Sequence, residues 1–334
     1  AQDLARLINK SFREPIQFAN RCAAIGASIG IAVLDDPAIS AEELVRRADV
    51  AMYHAKETGR GRSCLYVADM DAGRADQNQL EQELREALAD GKIDLAFQPL
   101  VDARTGAIRG MEALARWKSP TRGVVSPETF IATAERSGLI ESLGLVVLKG
   151  ALTASAAWPE LNISVNVSPA QLRNPRFVEQ VRAALAQTGT KPSRLTLEIT
   201  EGYLVRQPER AKKVLAALRD VGVSVALDDF GAGYASIGYL RQFHFDRLKI
   251  DKSLVCALGR DPVAAGVLQA TVALANAFNI PVTGEGVEHE EQAMLLRLAG
   301  CDELQGYLFG KPRAASEINR DSIALPLSVQ PAFA

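Results

Sequence analysis

Leu195-Thr-Leu-Glu-Ile-Thr-Glu201 and Val223-Ser-Val-Ala-Leu-Asp-Asp-Phe-Gly231 each run from apolar residues into carboxylates, with a helix-period segment, Glu209–Val221, between them. Strand, helix and strand in that order make the unit of a parallel sheet. Outward from this unit, further apolar runs read as buried strands: Ile93–Val101, Ile108–Leu114, Leu161–Val167, Arg247–Ile250, Ile280–Val282 and Glu303–Phe309. Helical patterns fill most gaps, at Pro127–Ser137, Leu139–Ala157, Arg176–Thr188, Pro262–Phe278 and Glu290–Ala299. Strands alternating with helices in this number predict an α/β fold of the TIM-like (β/α)8 barrel type. Only Asp102-Ala-Arg-Thr-Gly106 joins the first two runs. A link that short is a hairpin, so the first strand is expected to be antiparallel.

The N-terminal stretch reads differently. Residues 1–20 begin as an amphipathic helix, Ala27–Val33 is a short β-rich run, and Ser40-Ala-Glu-Glu43 opens a helix to about Glu57. Ser at the cap with Glu three residues later is a capping-box pattern. Ser63–Val67 reads as another strand. The expected organisation is an incomplete α/β fragment over 1–68, a connecting helix over 69–86, the barrel over 80–325 and a tail over 326–334.

The chain has 334 residues, 48% hydrophobic and 23% charged, with mean hydropathy +0.01. That composition excludes a disordered or collagen-like chain. With 38 basic and 40 acidic residues the net charge is −2, so no global basic field calls for duplex nucleic acid. The first residues show no signal peptide. The most apolar stretch, Val263–Phe278, is broken by Gln269, Thr271 and Asn276 and is too short for a membrane span. Cys22, Cys64, Cys256 and Cys301 are dispersed, which fits a reducing cytosol. Three scattered histidines leave any metal to oxygen ligands, hence Mg²⁺, Mn²⁺ or Ca²⁺.

Chemistry in a βα barrel lies at the carboxyl ends of the strands. Those ends hold Glu112, Asn166, Glu198 and Glu201, Asp228 and Asp229, Lys249, Glu285 and Glu288, and Gln305. One acid at such a place is ordinarily a solvated loop residue. So many at one mouth repel one another unless a cation sits among them. Asn166 ends an alternating strand and needs partners, and Lys249 between Leu248 and Ile250 needs anions. Acids and an amide without His or Cys form a hard-metal set, and two ions sharing Asp228 and Asp229 suit in-line phosphodiester cleavage. Asp229-Phe-Gly231 lacks the companions of a kinase signature, and Gly231-Ala-Gly233 lacks the third glycine of a dinucleotide fingerprint.

Together these motifs resemble the EAL-domain family of bacterial cyclic di-GMP phosphodiesterases. Glu112-Ala-Leu114 stands at the naming motif, followed by Ala-Arg116-Trp117, and the likeness covers about residues 80–320. The resemblance implies hydrolysis of cyclic di-GMP to linear pGpG in the bacterial cytoplasm with two Mg²⁺ or Mn²⁺ ions; Ca²⁺, which oxygen ligands also accept, is expected to bind but inhibit through its looser geometry and weaker Lewis acidity. It implies that Glu112, Asn166, Glu198 and Asp228 hold one metal, that Asp228 and Asp229 belong to the second, and that Glu285 completes the site. Lys249 would hold the attacking water. Glu201 would anchor the loop that follows Asp229. Gln98, Leu114, Arg116, Glu288 and Gln305 would contact substrate. Gly284, His289 and Ala235 depart mildly from the family's pattern, and none removes a ligand. A homodimer is expected through Tyr239–Phe245, whose Tyr239, Leu240, Phe243 and Phe245 are too apolar for a short solvated connection. The alternatives are a non-hydrolysing cyclic di-GMP receptor and an interaction scaffold.

Residues 27–32, Ala-Ser-Ile-Gly-Ile-Ala, with Ala48-Asp-Val-Ala-Met-Tyr-His-Ala-Lys56, resemble the carboxyl-terminal half of a GGDEF diguanylate-cyclase domain. The resemblance implies that the GTP-binding loop and upstream sensory domains precede this piece and that the piece by itself is no cyclase.

Overall fold

The computed structural model describes residues 1–12, 16–18, 21–23, 25–201, 208–231 and 237–318. The chain divides into two compact units, 1–83 and 84–334.

The second unit is a closed eight-stranded barrel. Its strands are β1 (Ile93–Asp102), β2 (Ile108–Ser119), β3 (Asn162–Val167), β4 (Leu195–Thr200), β5 (Ser224–Phe230), β6 (Arg247–Ile250), β7 (Val282–Gly284) and β8 (Glu303–Gln305). Neighbours from β2 to β8 pair in parallel, whereas β1 pairs antiparallel to both β2 and β8 and closes the ring. The turn after β1 explains the exception. The Asp102 carboxylate accepts from the backbone N–H groups of Arg104 (3.1 Å) and Thr105 (2.7 Å), and Gly106 N donates to Asp102 O at 2.8 Å. So tight a side-chain-capped turn leaves no room for a crossover helix.

Every residue of β4 but the last is buried, as a strand covered on both faces requires. Outer helices supply the cover. Helix Pro127–Ser137 starts on Ser126, whose hydroxyl accepts from Thr129 N at 3.3 Å, and stops at left-handed Gly138. The run Ile140–Ala157 has the length and hydropathy of a membrane span, whereas the helix Pro262–Ala277 is apolar but shorter. Its α-helical part, Ile140–Ala154, buries Ile140, Leu143, Val147, Leu148, Ala151 and Leu152 and packs on β1, β2 and β3. It is a core helix of the barrel. Phe97 meets Trp158, and Trp117 meets Phe130, edge to face at 5.3 and 6.0 Å.

Three features escaped the sequence patterns. Strand β2 runs on to Ser119 because Gly123–Val125 folds back and pairs with its end. Ile237–Gln242 forms a helix, and Leu240, Phe243 and Phe245 are buried within the barrel unit. The apolar groups of that segment are therefore barrel core rather than a dimer surface; the Tyr239 side chain lies outside the described residues. Exposed apolar side chains occur instead on two neighbouring helices, Val263 and Val267 on Pro262–Ala277 and Met294 and Leu298 on Glu290–Ala299.

In the first unit, helix Gln2–Ser11 is followed by a hairpin, Ile16–Phe18 with Arg21–Ala23, that the sequence did not announce. Ile29–Ile31 and Ser63–Leu65 pair in parallel around helix Ala41–Glu57, capped by Ser40, whose hydroxyl accepts from Glu43 N at 3.1 Å. Gly30 lies so close to this helix that a Cβ there would come within 1.9 Å of Ala48 O. Helix Asp69–Ala89 carries the boundary between the units. The tail 326–334 and the loop around Gly233 and Ala235 lie outside the described residues.

Candidate active site

Parallel register puts the strand ends of β2 to β8 at one mouth. Asn166 pairs in register with Glu198, Glu198 with Ala226, and Gln98 stands opposite Glu112 on the antiparallel pair. A cavity of about 290 Å³ opens there, lined by Gln98, Glu112, Leu114, Asp228, Lys249, Glu285, Glu288 and Gln305, all singled out from the sequence. Lys252, Gly286, Gly306 and Tyr307 complete the lining and were not.

Lys249 is the centre of the site. It is 1% exposed, and its ammonium lies 2.5 Å from Glu198 Oε2, closer still to Glu285 Oε1, 3.6 Å from Glu112 Oε2 and 3.8 Å from Asp228 Oδ1. One cation serves four carboxylates. Burial disfavours the ammonium, but those four charges outweigh it and hold its pKa well above the usual lysine range.

The acids divide by environment. Burial pushes Glu198 well up, Lys249 pulls it part of the way back, and the charges of Glu112, Asp228 and Glu285 raise it further. Burial likewise raises Glu285, to about 8, despite its ion pair. Glu112 is equally deep, yet Lys249 and two amides pull it below its ordinary value: Gln305 Nε2 donates to Oε2 at 2.5 Å and Asn166 Nδ2 to Oε1 at 2.6 Å. Gln305 also donates to Gln98 Oε1 at 3.3 Å, and Gln98 to Gly310 O at 3.2 Å, so the amides are themselves held.

Asp228 and Asp229 are adjacent, and in a regular strand they would face opposite sides. A bulge prevents this. Leu227 pairs with Leu248 and Phe230 with Ile250, so β5 spends one residue more than β6 over the same span. Asp229 takes φ 56°, left-handed and uncommon for a side-chain-bearing residue. Carboxylate oxygens of Asp228, Asp229 and Glu285 consequently gather within 4.8 Å of one another. Burial, Asp228 and Asp251 all raise the Asp229 pKa.

The donor set suits a hard divalent cation: carboxylates and amides, no thiolate or imidazole, and more negative charge than Lys249 balances. Glu198 Oε1 is buried without a hydrogen-bond partner among the described residues, an acceptor awaiting a cation.

The other sequence candidates sit around this centre. Arg116 is half-buried outside the cavity lining, and its Nη1 donates to Ala115 O at 2.8 Å. Burial lowers its pKa while the charges of Tyr307 and Glu112 oppose that, so the guanidinium lies beside the cavity. Glu201 is buried just after β4, and the loop it would anchor falls in residues outside those described. Tyr307 is the clearest omission. Its signal was an aromatic directly after the Gln305-Gly306 pair, and on a strand end that reads equally as core.

With this geometry in view, residues 81–312 match the EAL domain family, and residues 1–62 match part of the family described as diguanylate cyclase, GGDEF domain. The bifunctional diguanylate cyclase/cyclic di-GMP phosphodiesterase MucR of Pseudomonas aeruginosa is 38% identical over 323 residues, 95% of this chain and 47% of that protein. The first curated relatives are all longer, and this chain spans 38–47% of their length. The solved PaMucR phosphodiesterase in complex with c-di-GMP superposes with a TM-score of 0.69 at 38% identity, covering 71% of this chain and 98% of that one. BlrP1 of Klebsiella pneumoniae, solved as a calcium/cy-diGMP complex, gives 0.61 at 29% identity, covering 67% and 56%. A barrel with its first strand reversed, Glu112-Ala-Leu114 on β2 and a ring of acids around Lys249, matched over residues 81–312, places the chain in the EAL domain family.

Proposed function

We propose that this chain hydrolyses cyclic di-GMP to linear pGpG. The observation that carries the proposal is Lys249 ringed by Glu112, Glu198, Asp228 and Glu285 at the barrel mouth. The likeness to the MucR phosphodiesterase supports the choice of substrate. Two divalent ions, Mg²⁺ or Mn²⁺, held by Glu112, Asn166, Glu198, Asp228, Asp229 and Glu285, would supply Lewis acidity toward the scissile phosphodiester.

The chain's own residues do the rest. Gln305 and Asn166 fix both oxygens of Glu112, so this carboxylate needs little reorganisation when a cation arrives. Lys249 has three N–H donors and only two close carboxylates, which leaves one donor to hold a water in line with the phosphorus. Water oxygen bonds to phosphorus, the P–O3′ bond breaks, and the 3′ oxygen takes up a proton while the phosphate stays on the 5′ side. Gln98, Leu114 and Glu288 on the cavity wall, with Arg116 beside it, orient the dinucleotide.

A receptor that binds without cleaving is the second reading; the unbroken acid set speaks against it. Incubation with Mg²⁺, Mn²⁺, Ca²⁺ or chelator, followed by chromatography, separates the two. The expected result is pGpG with Mg²⁺ or Mn²⁺ and intact bound substrate with Ca²⁺. Binding without product in Mg²⁺ makes the chain a receptor, and no binding at all makes it a scaffold.

Action in the bacterial cytoplasm follows from the substrate and fits three free cysteines among the described residues, Cys64, Cys256 and Cys301. A homodimer, if formed, is best accommodated by Val263, Val267, Met294 and Leu298, and Leu298→Glu with light scattering tests that face.

A further inference from the structure

The loop Glu285-Gly-Val-Glu-His289 carries two residues of the site, and its two halves are mounted differently. The first half is held through its backbone. Glu285 N donates to Ile250 O at 3.3 Å, Val287 N to Gln305 O at 3.0 Å, and Leu308 N to Val287 O at 3.0 Å. Gly286 takes φ 69°, and a Cβ there would come within 2.6 Å of Lys252 Cβ, so the loop lies directly on the start of helix Lys252–Ala257. The second half is gripped by one side chain. Gln292 Oε1 accepts from Glu288 N at 2.8 Å and from His289 N at 3.0 Å. Gln292 is the third residue of helix Glu290–Ala299, where a glutamine or glutamate closes a capping box. It does more than cap. Gln292 is 8% exposed, and its Nε2 donates to Val255 O at 3.4 Å, in the helix that begins just after Lys249-Ile250-Asp251. A buried amide engaged at both ends fixes the spacing of the elements it joins, because displacing either one leaves polar groups unsatisfied. Those elements follow Lys249 and Glu285, whose side chains pair directly at the mouth.

We infer that Gln292 is a positioning residue: it clamps the Glu285–His289 loop to helix Lys252–Ala257 and so sets Glu285 against Lys249 and Glu288 on the cavity wall. The inference rests on the phosphodiesterase reading above. Gln292→Met keeps the length of the side chain and removes its bonds to both elements. Gln292→Glu keeps an acceptor for the two N–H groups, and a carboxylate suits a helix N-terminus. In Mn²⁺-supported hydrolysis of cyclic di-GMP, the Met variant should lower kcat roughly tenfold and raise KM severalfold, and the Glu variant should return both to within about threefold of the parent. Ser126→Ala removes the cap of another barrel helix, from a residue outside the cavity lining, and should leave kcat and KM unchanged. Hydrogen exchange without nucleotide is independent of activity. The Glu288 and His289 amides should exchange about tenfold faster in the Met variant, with Val287 keeping its parent rate. If the Met variant does not fold, Gln292→Asn, one methylene shorter, takes its place in each comparison. Parent-like kcat and KM in the Met variant, equal losses in the Met and Ser126→Ala proteins, or a Glu variant no better than Met overturns the clamp alone. A parent that neither binds nor cleaves cyclic di-GMP overturns the phosphodiesterase reading and the inference with it.

Discussion

The two ends of the barrel handle buried charge in opposite ways. At the end away from the cavity, acids are met one by one: Glu303 pairs with Arg247 at 2.5 Å and Asp102 with Arg109 at 2.8 Å, while Asp246 and Asp302 each accept from a backbone N–H at 2.8 Å. At the mouth, four acids share Lys249. Matched pairs close a barrel and ask for nothing more. A mouth left short of positive charge is unfavourable by itself and becomes favourable only when cations arrive. Imbalance, rather than burial or acidity alone, marks the functional end.

The sharpest test of that contrast is Lys249→Met. It should lower single-turnover hydrolysis by a hundredfold or more, about 3 kcal/mol of barrier, and depress the melting temperature without metal much more than with it. Near-normal turnover would show that Lys249 only balances charge. At the other end, Arg247→Met strands Glu303 and should cost about 2 kcal/mol of stability, read by denaturant unfolding, while hydrolysis per folded molecule stays put. Lost activity at full folding would erase the distinction between the ends.

Acidity gives a smaller effect with a definite sign. Burial raises Glu285 to about 8 in the metal-free site, so below that pH a proton must leave before a cation binds. Apparent Mg²⁺ affinity should therefore climb with pH toward 8, by about tenfold per pH unit for each proton released. Calorimetry in two buffers of different ionisation heat reads the released proton, and a flat profile from pH 6 to 8 would contradict the raised value. The smallest effect separates two acids of the mouth. A crowded anionic mouth suggests that removing any acid relieves repulsion, including Glu112. The amide bonds to Glu112 reverse that expectation: Glu112→Ala should lose about 1 kcal/mol of metal-free stability, whereas Glu198→Gln should hold or gain a similar amount. Both should abolish hydrolysis, and thermal melts with chelator distinguish them.

Most of this architecture was legible along the chain. Alternating apolar runs and helical periods gave the barrel, the Asp102–Gly106 turn gave its reversed strand, and the helix expected over Pro127–Ser137 has those bounds to the residue. Each is a local pattern, written in residues that touch within a few positions. The short strands β7 and β8 were displaced or overextended because three residues carry too little periodicity to fix an end. Leu240, Phe243 and Phe245 misled because an apolar residue does not say which surface covers it. The site was legible as a set of acids at strand ends, but not as an arrangement.

The sequence by itself determined the residue types at the mouth, the order of strands and helices, and the hard-oxygen character of the site, since these depend on identity and short-range spacing. Only the tertiary structure decided which acid is gripped and which is left short. Gln305 reaches Glu112 across 193 residues of chain, Glu198 reaches Lys249 across 51, and both contacts exist because a closed ring sets β8 beside β1 and the strand ends at one height. The bulge that turns Asp228 and Asp229 to one side arises from the pairing of β5 with β6, and the close seat of Gly306 against Val287 from the pairing of β7 with β8. Such contacts are set by closure of the barrel, a property of the whole ring that no single segment encodes.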